Sequence, residues 1–341
     1  MMFLSKKLFH RIFQIKVPLP NSPLGHLNSY LIKSEEENLL VDTGLDSPLA
    51  FQSLCKGISE VGVEPNELTQ ILATHFHVDH VGLIPRFRKL SSDIKILIHT
   101  AEAELSRVMI QEFDHYMESL RSFLSKNGAP PYIADVENFH PAFSTPQAYE
   151  ELSEALPVKD GQEITVGNYK FQVKWTPGHS PGHICLYEPS LRMLVSGDHL
   201  LPTITPHIAQ FMEDMNPLTD YLESLEKVAK LNVDVVLPGH EQCFINHRER
   251  IEQLKDHHKQ RLAEIVHELK AGSLTTYTLA SRIRWDVNYD SWNDFPIFQK
   301  YLAFGETLAH LNLLEQKEIV QKTCINKKIM YDLRDVSLKN D

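Results

Sequence analysis

Apolar runs bounded by glycine, proline or polar residues recur in the first part of the chain, and they have the length of β-strands. Four such runs precede histidine or aspartate residues: Leu68–Ala73, Tyr169–Trp175, Arg192–Val195 and Val233–Val236. Short runs that are alternating or continuously apolar favour strands of a half-buried or buried sheet. The pattern therefore predicts a sheet core in this part of the chain.

Helical spacing interrupts the strand pattern within residues 101–155. One apolar stripe recurs there at steps of three or four residues and ends at Asn127-Gly128, before two prolines. Its members are Leu105, Met109, Phe113, Met117, Leu120 and Leu124. This spacing predicts one helix face followed by a sharp stop. We interpret the segment as a helical insertion, either an ordinary surface helix that covers a sheet or a lid over a pocket.

From residue 247 onward the pattern is helical. The spacing predicts one long helix ending at Ala271-Gly272, two more over Thr275–Ile283 and Phe295–Leu314, and a hairpin over Lys317–Leu333. A chain of 341 residues also exceeds the length at which single cores usually stop growing. We therefore predict two domains, residues 1–246 and residues 247–341.

A cluster of potential metal ligands follows the first strand directly. Three histidines and an aspartate lie within six residues, namely His75, His77, Asp79 and His80. Imidazole and carboxylate together suit zinc or another borderline first-row metal. Four ligands this close cannot all converge comfortably on one ion. Two adjacent ions are the simpler arrangement, with the first two histidines on one ion and the remaining pair on the other.

The three later strands also end in potential ligands next to glycine or proline. His179 and His183 lie in the segment TPGHSPGH after the second strand, Asp198 follows the third and His240 follows the fourth. Several strand ends that each close on a ligand-type residue describe a metal site at one edge of a sheet core.

This order of residues resembles the metallo-β-lactamase superfamily, whose motif runs HxHxDH and continues with His, Asp and His. The matching residues are His75, His77, Asp79, His80, His179, Asp198 and His240. The turn Val41–Gly44 also resembles the family's early VDTG turn, where the aspartate, here Asp42, usually supports the site without binding metal. The resemblance covers roughly residues 13–245.

The resemblance implies an α+β fold, an αβ/βα sandwich of two mixed sheets flanked by helices. It implies that His75, His77 and His179 hold a first metal and that Asp79, His80 and His240 hold a second, with Asp198 bridging them. The helices and hairpin of residues 247–341 resemble the small winged-helix domain that some members carry at the C-terminus.

Two zinc ions are the expected cofactors, with iron or manganese as alternatives, because histidine–carboxylate sites accept all three. Two dications about 3.5–4 Å apart repel each other, and a shared carboxylate and hydroxide would offset that repulsion. Metal coordination also lowers the pKa of water from about 15.7 toward 7, so hydroxide is the expected nucleophile. Asp79 is in addition the candidate catalytic residue.

The remaining histidines lack this pattern. We expect His183 to support the site without binding metal, while His199 could line the pocket or pack in the core. His207, on a proline-rich loop, is a minor candidate for proton donation. The others have no motif around them and are expected to be solvated or packed; they include His99, His115, His247, His257, His258, His267 and His310.

Charge distinguishes the two predicted domains. Residues 247–341 contain 15 basic and 14 acidic residues, a net of +1, whereas residues 1–246 contain 19 and 31, a net of −12. Proteins that follow nucleic-acid phosphates usually present a basic stripe. The charge therefore argues against a nucleic-acid partner without removing it from consideration, and it favours a small-molecule substrate.

Cysteine usage and hydropathy bear on the compartment. The four cysteines show no CxxC or paired spacing, which is typical of reduced thiols and predicts a cytoplasmic protein. No apolar run reaches the length of a transmembrane helix, and charged residues break the apolar start of the chain. The candidate oligomeric state of the protein is a homodimer.

The sequence thus predicts a dinuclear metal-dependent hydrolase that acts on an ester, thioester or lactone by means of a metal-bridging hydroxide. One alternative is a metal-dependent phosphodiesterase or endoribonuclease that uses the same ions. A second is a mononuclear iron dioxygenase, since such enzymes share the HxHxDH string. A third, from another class, is a regulatory module whose winged helix recognises a partner, and the complete ligand set disfavours it.

Overall fold

The computed structural model describes residues 4–20, 22–286 and 289–334. They form two compact units that each combine several segments of the chain. The first unit consists of Met1–Phe113, Pro141–Pro206 and Ser224–Ile251. The second consists of Asp114–His140, His207–Glu223 and Glu252–Asp341. Among the described residues, no helix is both long and apolar enough to cross a bilayer.

Two mixed sheets make up the centre of the first unit. The seven-stranded sheet has the order β1-β2-β3-β4-β5-β6-β7 and the five-stranded sheet the order β12-β11-β10-β9-β8. The strands are β1 Ser5–Phe9, β2 Ile12–Pro18, β3 His26–Lys33, β4 Asn38–Val41, β5 Gln70–Leu72, β6 Lys95–His99, β7 Leu156–Val158, β8 Glu163–Val166, β9 Tyr169–Trp175, β10 Ile184–Glu188, β11 Met193–Gly197 and β12 Val235–Pro238.

Both sheets combine parallel and antiparallel pairs, and the ligand-bearing strands β11 and β12 are parallel neighbours. Strands β4 to β7 run parallel to one another, and β11 runs parallel to β12, whereas the other neighbours are antiparallel. Strands β10 and β11 are buried at every position, as expected of continuously apolar strands inside a layered core. The inner faces of both sheets share one apolar cluster that includes Tyr30, Val41, Phe171 and Leu186.

Helices complete both units, with boundaries set by local sequence. They are α1 Pro48–Glu60, α2 Val78–Val81, α3 Ile84–Leu90, α4 Thr100–Gln111, α5 Phe113–Lys126, α6 Pro131–Ala134, α7 Pro146–Ser153, α8 Pro217–Ala229, α9 His247–Leu269, α10 Thr276–Ala280 and α11 Ile297–Gln316. Helix α1 shows why such a segment is helical. The Ser47 hydroxyl accepts the Ala50 N–H at 3.1 Å, and Pro48 occupies the first turn.

Helices α4 to α7 lie between residues 100 and 153, so the prediction of one continuous helix within residues 101–155 is wrong. Helix α4 ends at Gln111 and α5 begins at Phe113. Met109 and Met117 are buried, whereas Phe113 between them is 43% exposed. Each step of four residues advances about 40° around a helix, so three such steps from Leu105 carry the stripe about 120° by Met117. The chain instead forms two helices here, and the side chain at their junction, Phe113, is exposed.

The C-terminal elements match the predicted pattern closely. Helices α9, α10 and α11 lie where three helices were expected, and β13 Val320–Ile325 pairs with β14 Lys328–Leu333 as a hairpin. The two-residue loop has positive φ at both positions, 51° at Asn326 and 64° at Lys327, the geometry that suits a tight hairpin. The winged-helix identity and a domain boundary at residue 246 remain predictions.

Candidate metal centre

The loop after β5 presents the first group of candidate ligands. His75 follows the strand by three residues, and His77 is the residue that precedes α2. Asp79 and His80 lie in the short helix itself. The strand end and the helix start therefore place these four side chains together, as the sequence predicted.

The later strands bring the remaining candidates to the same place. His179 follows β9, Asp198 follows β11 directly, and His240 lies two residues after β12. The structure gathers all seven into three overlapping groups whose potential ligand atoms lie within 4.8 Å of one another. These groups are His75, His77 and His179; His75, His80 and Asp198; and Asp79, His80 and His240.

Asp42 and Thr74 orient two of the histidines. The Asp42 carboxylate accepts the His80 Nδ1–H and the Thr74 hydroxyl, each at 2.8 Å. Since the hydroxyl gives its single hydrogen to Asp42, it accepts the Nδ1–H of His75 at 3.0 Å. Both rings are thereby fixed with Nε2 as the available nitrogen, the usual effect of a partner on the far nitrogen of a ligand histidine. Asp42 supports the site in the manner expected from the VDTG turn.

His240 is oriented by the opposite sheet. Its Nδ1–H donates to the carbonyl of His26 at 3.0 Å, so its Nε2 also faces the centre. The Asn28 side-chain amide donates to the carbonyls of Pro238 and Glu241, at 3.0 and 2.9 Å. Strand β3 of the larger sheet therefore holds the loop that follows β12 of the smaller sheet.

Asp198 lies between the histidines of different groups. One carboxylate oxygen is 3.5 Å from His80 Nε2, and the other is 3.4 Å from His240 Nε2 and 3.7 Å from His179 Nε2. Gly239 makes this approach possible, because a Cβ at that position would lie 2.4 Å from the Asp198 carboxylate. Its two oxygens therefore face different histidines, and the bridging role stays a prediction.

The electrostatics of the centre separate two kinds of histidine. Burial among other histidines holds the pKa of His75 and His77 well below the usual value, so both rings are neutral and able to donate a lone pair. Burial also acts against protonation of His240, but the Asp198 carboxylate outweighs it and raises the pKa to about 10. The Asp79 side chain is 26% exposed; desolvation raises its pKa, but the nearby imidazole of His240 prevails and lowers it to about 2.

The donor set fits bound metal ions. His75 Nε2, His80 Nε2, His240 Nε2 and Asp198 Oδ1 are all buried and have no hydrogen-bond partner. Buried polar atoms normally have one, so four unpartnered atoms converging on one place call for an explanation. Nitrogen and oxygen donors in this combination are those that zinc and similar metals bind.

Three further histidines take supporting or separate positions. His183 is buried and accepts the backbone N–H of Asp198 on Nε2 at 3.1 Å, while its Nδ1–H donates to the Thr176 hydroxyl at 2.9 Å. It therefore supports Asp198 and belongs to none of the three groups. His199 is buried, with its ring 6.0 Å from that of His183. His207 is engaged with the carbonyl of Leu302 at 2.9 Å, within the second unit.

Sequence reasoning missed two buried polar residues that hold the centre. Asn28 braces the loop of His240, and the Glu102 carboxylate accepts hydrogen bonds from the Ser180 hydroxyl and from the Gly182 N–H, beside His179. Neither residue has a motif around it. A glutamate in the first turn of a helix is ordinary in any sequence, so no sequence signal marked Glu102.

The chain is similar in sequence to a probable metallo-hydrolase and to a thioesterase. The chain is 25% identical over 321 residues to the probable metallo-hydrolase YqjP of Bacillus subtilis, covering 91% of this chain and 93% of that protein. It is 26% identical to the human acyl-coenzyme A thioesterase MBLAC2, covering 64% of this chain and 74% of that protein.

A solved structure and a family model agree with these relatives. The crystal structure of the metallo-β-lactamase family protein TTHA1429 from Thermus thermophilus matches with a TM-score of 0.79 and 29% identity, covering 96% of this chain and 100% of that one. The model of the metallo-β-lactamase superfamily matches residues 23–240, a span that contains every candidate ligand. The chain therefore belongs to the metallo-β-lactamase superfamily.

Proposed function

We propose that this metal-dependent hydrolase holds two metal ions and cleaves thioesters. The observation that carries the dinuclear site is the position of Asp198 between three histidines of different ligand groups. On this proposal His75, His77 and His179 hold one ion, Asp79, His80 and His240 hold the other, and Asp198 binds both. Zinc is the expected metal, with iron and manganese as alternatives.

Bound ions would lower the pKa of water toward neutral pH and would polarise the carbonyl group of the substrate. The chain's own residues supply the geometry. Asp42 and Thr74 fix the directions of His80 and His75, and His183 fixes the backbone of Asp198. The site is therefore arranged before any ligand arrives, which reduces the reorganisation needed for the reaction.

Asp79 is the proposed catalytic residue. Of the carboxylates in the ligand groups it has the more exposed side chain, 26% against 10% for Asp198. The nearby imidazole of His240 outweighs desolvation and lowers the pKa of this carboxyl to about 2, and a bound cation would favour the same ionised form. An ionised carboxylate at the accessible side of the site is suited to orient the attacking water.

The substrate class is supported by the relatives. The human protein to which the chain is 26% identical is an acyl-coenzyme A thioesterase. The ester, thioester and lactone expected from the sequence share a carbonyl carbon as the point of attack. Among these we assign the thioester.

The experiment begins with metal content and continues with substrates. Protein purified without chelator is expected to contain about two equivalents of zinc per chain. The same sample is then assayed against acyl-coenzyme A thioesters, lactones, bis-p-nitrophenyl phosphate and single-stranded RNA, with chelator-treated protein as the control. Thioester cleavage that chelator abolishes and zinc restores supports the proposal. One reproducible equivalent of iron, or preferential cleavage of phosphodiesters, would instead support one of the alternatives.

A further inference from the structure

The loop Thr176–His183 is organised around Ser180. Its two ends close through the Thr176 N–H, which donates to the His183 carbonyl at 2.8 Å. Within the loop, the Ser180 carbonyl accepts the Gly178 N–H at 3.1 Å and the His183 N–H at 3.4 Å. The candidate ligand His179 lies immediately before Ser180. A change in the position of Ser180 would therefore move the ligand and both ends of the loop.

Glu102 holds this loop from the first turn of helix α4. Its carboxylate oxygen Oε1 accepts the Ser180 hydroxyl and also the Gly182 N–H, the latter at 3.0 Å. Gly182 permits the approach, because a Cβ at that position would lie 2.6 Å from Glu102 Cγ and 2.8 Å from its backbone nitrogen. Glu102 and Ser180 are 78 positions apart in the sequence. Their hydrogen bond therefore connects helix α4 to the loop that carries His179.

Burying the carboxyl group of Glu102 lowers the stability of the fold. The side chain is fully buried, and its second oxygen, Oε2, has no hydrogen-bond partner. Burial raises the pKa of this carboxyl to about 7, although the bonds from Ser180 and Gly182 act in the opposite direction. A buried carboxyl group is destabilising unless it is fully hydrogen-bonded. An apolar residue would avoid the cost of burying a carboxyl group but would leave the Ser180 hydroxyl and the Gly182 N–H without an acceptor.

We propose that Glu102 is a positioning residue for the metal centre. Its hold on Ser180 and Gly182 keeps the imidazole of His179 within reach of His75 and His77. The same loop carries His183, which holds the backbone of Asp198. This inference rests on the proposed metal site, and it assigns a role in metal binding to the insertion helix α4.

Other contacts keep the loop attached when Glu102 is removed. The Trp175 indole N–H donates to the Pro181 carbonyl at 3.0 Å, and the Ser224 hydroxyl donates to the Pro177 carbonyl at 2.9 Å. The indole is itself stacked on the ring of His99, with centroids 5.3 Å apart. Loss of Glu102 should therefore displace the ligand without unfolding the loop.

The chain offers a matched control on the same unit. Glu188 is also a buried glutamate, and it accepts the Ser190 hydroxyl at 2.8 Å and the Leu191 N–H at 2.6 Å. It ends strand β10, whereas the ligand loop precedes the start of that strand, so about four strand steps of roughly 3.3 Å separate the two positions. Replacing either residue by alanine removes a buried carboxylate and the same kinds of hydrogen bond.

The experiment is a competition titration with zinc and a chromophoric chelator on wild type, Glu102→Ala, Glu102→Gln and Glu188→Ala. Glu102→Ala should weaken one of two zinc-binding steps by about 10–100-fold, the usual scale for residues that orient ligands. Glu102→Gln keeps an oxygen that can accept both loop hydrogen bonds, so it should restore most of the affinity. Glu188→Ala should bind zinc as wild type does, even where its melting temperature falls.

Cobalt(II) absorption spectra provide a second readout, because they report the ligand arrangement in the protein without any assay of activity. The spectrum should change in Glu102→Ala and remain that of wild type in Glu188→Ala. If Glu102→Ala does not fold, Ser180→Ala removes one of the two contacts and should show a smaller change in the same direction. Zinc affinity and spectra equal to wild type in Glu102→Ala would overturn the inference. Failure of wild type itself to bind zinc, iron or manganese would instead overturn the proposed function.

Discussion

Two regions of this protein bury histidines with an unbonded ring nitrogen: the metal centre, and a part of the second unit where Nε2 of His258 also lacks a hydrogen-bond partner. The unbonded nitrogens converge with carboxylate oxygens in the first region. In the metal centre, His75, His80 and His240 each have one nitrogen fixed by a hydrogen bond and the other, Nε2, without a hydrogen-bond partner. In the second unit, His258 and His310 form a buried pair. His310 donates from Nδ1 to the Glu306 carbonyl at 2.7 Å and accepts the Nδ1–H of His258 on Nε2 at 3.1 Å.

The charged neighbours of the two regions also differ. The metal centre includes the carboxylates Asp79 and Asp198, whereas the His258–His310 pair has the guanidinium of Arg261 nearby. Burial lowers the pKa of both histidines of the pair, that of His310 to about 3. Among the described residues, the three groups able to hold a metal all lie in the first unit.

The difference shows that burial of histidine does not by itself make a metal site. What separates the regions is the direction of the unbonded nitrogens and the presence of carboxylates that balance the charge of an ion. Of the two positions expected for His258 and His310, solvated or packed, the structure shows the packed one. The following experiments test whether the comparison holds.

The largest effect is expected from Asp198→Ala. Because this carboxylate lies between His80, His179 and His240, its loss should lower the occupancy of one or both ions and reduce hydrolysis to the background rate. Elemental analysis and a thioester assay measure the two effects. Glu306→Ala, which removes a buried carboxylate from the second unit, should leave the metal content at the wild-type value. Two retained metals with most of the activity in Asp198→Ala would show that the ligand assignment is wrong.

A smaller effect is expected from His183→Ala. This change removes the acceptor for the Asp198 N–H, so activity should fall by about 10–100-fold while metal is retained. His310→Ala is the matched control from the other region. It leaves the buried His258 Nδ1–H unpartnered, which should lower the free energy of unfolding by about 1–3 kcal/mol without changing metal content. Metal loss in His310→Ala and not in His183→Ala would contradict the comparison.

The smallest effect is expected on the pH dependence of stability, through the carboxyl group of Glu306. Burial raises the pKa of this carboxyl to about 7, with Arg261 acting in the opposite direction, from an ordinary value of 4.5. The protonated form is therefore favoured in the folded state, and its contribution to stability is present below pH 4.5 and lost as the pH rises through 7. Glu306→Gln cannot ionise, so it should gain on the order of 2–3 kcal/mol relative to wild type between pH 4.5 and pH 8.

Chemical denaturation of both proteins at several pH values measures this difference. His258 and His310 act in the opposite direction, since their lowered pKa values remove stability as the pH falls below 6.5. Both proteins share that contribution, so it cancels when the two curves are subtracted. A difference that stays constant over the whole range would show that Glu306 does not titrate as described.

Much of the catalytic architecture could be read from local patterns. Short apolar runs next to His75, His179, Asp198 and His240 predicted strands that end in ligands, and each run overlaps a strand of the structure. The ends of β9, β11 and β12 lie in the five-stranded sheet and that of β5 in the seven-stranded sheet, so the pairing of the two sheets was also needed to form one site. The stripe of residues 105–124 did not reveal that the chain forms two helices there, since its spacing is compatible with one helix face.

By itself, therefore, the sequence determined the superfamily motif, the strands that carry it and the residue types available to bind metal. The tertiary structure alone decided which partners orient those residues. Asp42 holds His80 across 38 positions, and Glu102 holds Ser180 across 78. Contacts between such distant residues follow no spacing along the chain, because they depend on how sheets and helices pack. The directions of the histidine nitrogens are consequently a property of the fold.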